Sequence, residues 1–66
     1  MTFEWSRESR SWDLIADTGE LIGMTRQMDD GTWEAQMVAI FGGRQAFATD
    51  LPTIQSWMIQ EGAIPR

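Results

Sequence analysis

The sequence predicts an α+β fold: an antiparallel β-meander of four to five strands with one C-terminal α-helix packed on one face. Three observations carry that expectation. Apolar residues alternate with polar ones through most of residues 2–48, the period of a strand with one buried face. Short clusters rich in Gly, Asp and Ser divide the alternation into pieces of strand length. After Thr49-Asp50 the apolar spacing changes to three and four residues, the period of a helix.

The first strand is expected over residues 2–6, where Phe3 and Trp5 alternate with Glu4, and the polar run Arg7-Glu8-Ser9-Arg10 supplies its turn. A second strand over 11–16 places Trp12, Leu14 and Ala16 on one face, with Asp13 and Ile15 on the other. Asp17-Thr18-Gly19 then closes a hairpin, Gly19 being free to take positive φ. The return strand, 20–27, contains Gly23, a residue that marks a bulge or a close approach inside a strand. Asp29-Asp30-Gly31 forms the next hairpin turn. Over 32–41 Trp33, Ala35, Met37 and Ala39 face one way, and Glu34, Gln36, Val38 and Ile40 the other. Gly42-Gly43-Arg44 interrupts this strand, and 45–48 forms a short last one carrying Phe47. The helix is expected over 51–61, with Asp50 as its cap and Pro52 in the first turn, where a missing N–H does no harm. Leu51, Ile54, Trp57 and Met58 form its apolar stripe, and Gly62 is expected to stop it, with Ala63 and Ile64 folding back over its end. Residues 1–66 contain no repeat, linker or low-complexity segment and read as a single domain.

A chain of 66 residues buries only about 60% of its unfolded surface, so the core is thin. Cys and His are both absent, which excludes disulfides and the usual zinc ligands. Packing or a partner subunit has to supply the stability. The four tryptophans, at 5, 12, 33 and 57, fall on four different elements and are each expected to face inward, where a large rigid ring adds buried area. Any tryptophan left exposed becomes an interface anchor.

The same composition narrows the function. Without His, Cys, Lys or Tyr there is no imidazole base, thiolate, Schiff-base amine or phenolic acid, and the five arginines cannot shuttle protons. A non-enzymatic protein is expected, with no cofactor and no metal. Ten acidic residues against five arginines give a net charge of −5, which opposes attraction to a phosphate backbone, so nucleic acid is not an expected partner. No apolar run approaches the length of a membrane span, and Met1 to Trp5 lacks the start of a signal peptide, so a cytoplasmic protein without membrane contact is expected.

Four local motifs have plainer readings than their chemistry suggests. Leu14-Ile15-Ala16-Asp17-Thr18-Gly19 resembles the Asp-Thr-Gly loop of retroviral-type aspartic proteases, which would put a catalytic carboxylate on Asp17. Glu20 follows where that family usually has Ala, and the chain has no room for flaps, so the tripeptide reads as a hairpin turn. Asp29-Asp30-Gly31 lacks the twelve-residue ligand pattern of a calcium loop. Gly42-Gly43-Arg44 offers an anion nest beside a guanidinium but has no Walker pattern and reads as a strand connection. Arg7 and Arg10 near Trp5 and Trp12 could stack on bases, yet Glu8 shares their turn and they read as solvated charges.

Trp5, Trp12-Asp13-Leu14-Ile15, Asp17-Thr18-Gly19-Glu20-Leu21-Ile22-Gly23, Asp30-Gly31-Thr32-Trp33 and Phe47-Ala48-Thr49-Asp50-Leu51 leading into Trp57 follow one another in an order that resembles small uncharacterised bacterial and prophage proteins built as a β-meander plus a C-terminal helix. The resemblance implies architecture and a phage or mobile-element setting, and carries over no functional residue. A similar arrangement, the arm-type DNA-binding domain of phage integrases, has a basic sheet face where this chain has Asp13, Glu20 and Glu34.

One helix cannot cover so wide a sheet. With Trp12, Leu14, Leu21, Trp33, Ala35 and Met37 assigned to the helix face, Ile15, Ile22, Met24, Met28, Val38 and Ile40 are left partly on the other side. The expected function is a protein-interaction module using that second face or an edge strand, with Ile22, Met24, Val38 and Ile40 as candidate interface residues. The occupant is a protein partner or a second copy in a homodimer. The alternative is an acidic, phage-type inhibitor in which Asp13, Asp17, Glu20, Asp29, Asp30 and Glu34 imitate nucleic acid on a basic partner.

Overall fold

The computed structural model describes residues 1–65 as five antiparallel strands followed by one helix, an α+β fold. The strands are β1 (Thr2–Ser6), β2 (Ser11–Ile15), β3 (Leu21–Gln27), β4 (Trp33–Met37) and β5 (Gln45–Ala48), and they lie side by side in sequence order. The helix α1 (Leu51–Ala63) packs on one face over β3, β4 and β5.

Cross-strand pairing sorts the side chains. Trp5, Trp12, Thr25, Ala35 and Ala46 form one row, and Phe3, Leu14, Gly23 and Met37 another, both on the helix side. Leu14, Ile22, Ala35, Met37, Ile54 and Met58 make the buried core, with Phe3, Trp33, Phe41 and Trp57 among the residues packed around it.

Strict alternation fails at β3. The register shifts between Leu14 and Ile15, so that Leu14 opposes Gly23 while Ile15 opposes Leu21. Ile22 is the extra residue of this bulge, and an inserted residue exchanges the faces of everything beyond it. Leu21, expected under the helix, therefore pairs with Ile15 on the open side. Ile22, expected on the open side, is 2% exposed in the core. Gly23 meets a second constraint: a Cβ there would stand 2.8 Å from Met37 Sδ and 3.1 Å from the Gln36 carbonyl oxygen.

The fourth strand is shorter than its alternation suggests. Val38 N–H donates to the Ile22 carbonyl at 2.9 Å, and the chain then turns through a short 3-10 segment, Ala39–Phe41. Asp50 caps the helix, its carboxylate accepting from Thr53 N–H at 3.0 Å. Gly62 does not stop α1 but lies in its last turn, where a Cβ would approach Ile22 Cγ2 to 3.0 Å. The small residue is needed for close packing at the bulge.

Five strands about 4.8 Å apart span roughly 19 Å between outer axes, and a helix with its side chains is about 10–12 Å across. The helix begins after Ala48 of β5 and ends beside Ile22 and Met1. The corner of the sheet that it leaves open holds Trp5 and Trp12.

Candidate interaction site

The expected apolar second face does not assemble. Of the four candidate residues, Met24 alone lies on the open sheet face, opposite Asp13 and Gln36 and 38% exposed. Ile22 is in the core, Val38 is half-buried after the end of β4, and Ile40 is 64% exposed on the 3-10 turn. Met28 lies in the β3–β4 turn. The open face is polar for the most part: Glu4, Asp13, Gln36 and Gln45 share its central row with Met24, while Arg26, Glu34 and the exposed Phe47 lie in the next. Arg26 Nε is 3.9 Å from Glu34 Oε1, and Gln45 Nε2 donates to Glu34 Oε2 at 3.2 Å.

The six acidic candidates are scattered as well. Asp13 is in the middle of β2, Glu34 is on β4, Asp17 and Glu20 flank the β2–β3 turn, and Asp29 and Asp30 form the β3–β4 turn at the opposite end of the sheet. The Met1 amino group donates to Asp17 Oδ1 at 2.9 Å, and this hydrogen bond, then its charge, holds the Asp17 carboxyl below its ordinary range. Thr32 N–H, donating to Asp30 Oδ1 at 2.9 Å, does the same for Asp30. Among the described residues no three potential metal ligands converge, and no helix is long and apolar enough to cross a membrane.

The Gly42-Gly43-Arg44 loop spends its amides internally: Gly42 N–H donates to the Ala39 carbonyl and Gly43 N–H to that of Val38. Arg44 reaches the helix, with Nη1 3.3 Å from the buried Glu61 carboxylate. A cleft of about 330 Å³ between the β1–β2 loop and the end of β3 is lined by Ser9, Arg10, Arg26, Gln27, Met28 and Asp29. Its two guanidiniums and one carboxylate offer weakly opposed charges to solvent.

The feature that stands apart is the β1–β2 corner. Trp5 and Trp12 are directly opposite each other, with ring centroids 5.3 Å apart and planes tilted by 58°, within the distance range of favourable aromatic pairs. Neither ring belongs to the core, and Trp5 is 48% exposed, so two of the four tryptophans expected to face inward lie outside the helix's cover. Phe3, half-buried, borders them on the same face. β1 is also an outermost strand: one side pairs with β2, and the backbone groups of the other side point away from the sheet.

Side-chain hydrogen bonds brace the hairpin that carries this corner. Ser6, Ser9 and Ser11 hydroxyls are linked at 2.9 and 2.6 Å, and Ser11 donates to Asp13 Oδ1 at 2.7 Å, so the chain ends on a carboxylate that polarises it. Asp13 is thereby fixed on the open face directly across from Glu4. The sequence does contain a signal for this corner: in a meander followed by a helix, the helix starts beside the last strand, so the first hairpin lies furthest from cover.

Comparisons with the known protein families, with curated proteins and with solved structures find no match for this chain.

Proposed function

We propose that this protein is a non-enzymatic protein-interaction module that works through the β1–β2 corner, using the outer edge of β1 and the aromatic ledge of Phe3, Trp5 and Trp12. The observation that carries this reading is the exposed Trp5, packed on half-buried Trp12, beside an outermost strand edge. Aromatic rings of this kind dominate protein interfaces because they bury much area at little entropic cost, and an open strand adds directional backbone hydrogen bonds. The scattering of the six acidic residues favours this reading over imitation of nucleic acid, which needs carboxylates in a continuous array.

Affinity capture from lysate, run in parallel with wild type, Trp5→Thr and Phe47→Thr, tests it. A protein retained by wild type and by Phe47→Thr but lost from Trp5→Thr is the expected result. Loss from Phe47→Thr with retention by Trp5→Thr would move the site to the opposite sheet face and overturn the proposal. Circular dichroism of each variant ensures that the comparison is made between folded proteins.

A further inference from the structure

The charges along β1 specify what kind of strand the edge accepts. Glu4 and Asp13 are directly opposed on the open face, an arrangement of like charges that destabilises a strand pair. The ion pairs among the described residues engage Asp17, Glu34 and Glu61, and none brings a cation to Glu4 or Asp13. A strand added to β1 places one of its own side chains directly across from Glu4, as close to it as Asp13 is on the other side. A cation at that position relieves the repulsion; a carboxylate there compounds it.

This decides between two occupants. A second copy laid antiparallel on β1 with full overlap puts Glu4 opposite Glu4 and lines the carboxylates of Glu4 and Asp13 from both copies in one row across the seam. Sliding the second copy by two residues avoids that row but gives up part of a strand only five residues long. Each copy also carries a net charge of −5. Glu4 thus guards the edge against self-pairing, a device common on exposed strands. The other sheet edge lacks this selectivity: β5 has four residues and no charge, and α1, tied to its start by the Arg44–Glu61 ion pair, packs against it.

We infer that β1 is completed by an extended segment of another protein that carries arginine or lysine opposite Glu4 and apolar residues opposite Phe3 and Trp5. The inference rests on the reading of the β1–β2 corner as the interaction site and adds the chemistry of its partner. The alternation follows from the pleat: residues flanking the cation point to the other side of the sheet, where the aromatic ledge stands.

The test is a titration of the isotopically labelled protein, followed by amide chemical shifts, with the capped pentapeptide Thr-Val-Arg-Ile-Thr. Comparators are the same peptide with Glu in place of Arg and one with its Val and Ile amides N-methylated. Saturable shifts at residues 2–6, about tenfold weaker binding of the Glu peptide, weakening with salt and loss of binding on N-methylation are expected. The variant Glu4→Arg should reverse the preference between the Arg and Glu peptides. Equal binding of both peptides, shifts centred away from β1, or no shifts at millimolar peptide would each overturn the inference. So would β1 shifts that depend on protein concentration without peptide, which would make a second copy the occupant. Failure here with Trp5-dependent capture from lysate refutes the basic strand alone; failure of both refutes the site.

Discussion

Trp33 and Trp57 lie against the buried core, whereas Trp5 and Trp12, on the same side of the same sheet, lie against each other. All four occupy positions that alternation or helical spacing marks as inward. The difference is made by what stands above them: α1 packs over β3, β4 and β5 and leaves the β1–β2 corner without a second layer. In one region an inward-facing tryptophan completes a core. In the other it remains a half-wet ring pair that stabilises little and is available to a partner. Inward-facing and buried are separate properties in a sheet wider than its helix.

Substitutions on the two sides of that boundary should separate cleanly. Leu14→Ala, in the core with Ile54 and Met58 of α1, should cost about 3–5 kcal/mol in urea unfolding, because it removes a fully buried side chain and leaves a cavity. Total stability in a chain of this size is on the order of 3–10 kcal/mol, so much of the variant population should unfold under mild conditions. Trp33→Ala, at a half-buried ring packed on the core, should cost about 2–3 kcal/mol by the same measurement. Gly23→Ala should cost about 1–3 kcal/mol, since the added methyl presses on buried Met37 and on the Gln36 backbone. A melting temperature equal to wild type would show that the bulge relaxes without loss.

Trp5→Ala, across the boundary, should cost about 1–2 kcal/mol, the aromatic pair plus the shielded part of a half-exposed ring and less than Trp33→Ala, while abolishing capture of the partner. A loss as large as that of Trp33→Ala would erase the contrast between the two regions and place Trp5 in the core. The smallest effect belongs to Asp17. Its carboxyl is held below its ordinary value in the folded state by the Met1 amino group, so the folded protein binds that proton less readily than the unfolded chain. The contact therefore stabilises above the unfolded pKa near 3.8 and is lost as pH falls through the lower folded value. Asp17→Asn should lower stability slightly at neutral pH and match wild type in acid, measured by thermal melts across that range.

Much of the fold is legible in the residues. Alternation around Trp12 and Leu14, the turn residues Asp17-Thr18-Gly19 and Asp29-Asp30-Gly31, and the Asp50 cap with Pro52 behind it give strand, turn and helix positions close to those observed. The candidate site was less legible. Ile22 looked available for binding because Gly23 signals a bulge or a close approach without saying which neighbour is inserted, and the bulge at Leu14/Ile15 turned Ile22 into the core. Ile40 looked like a strand residue because the pattern of β4 continues past Met37, where the chain has already left the sheet.

By itself the sequence determined the order and type of the elements, the turns between them and the chemistry that is missing, because period, capping and turn preference act over a few neighbouring residues. It also set the charge on β1. Tertiary structure alone decided that the insertion falls at Ile22, exchanging it with Leu21, and how far across the sheet α1 reaches. Both depend on how distant segments fit together: a bulge is settled by the strand across the ladder and by the packing of Gly23 and Gly62, and coverage is settled by the width of one helix against five strands.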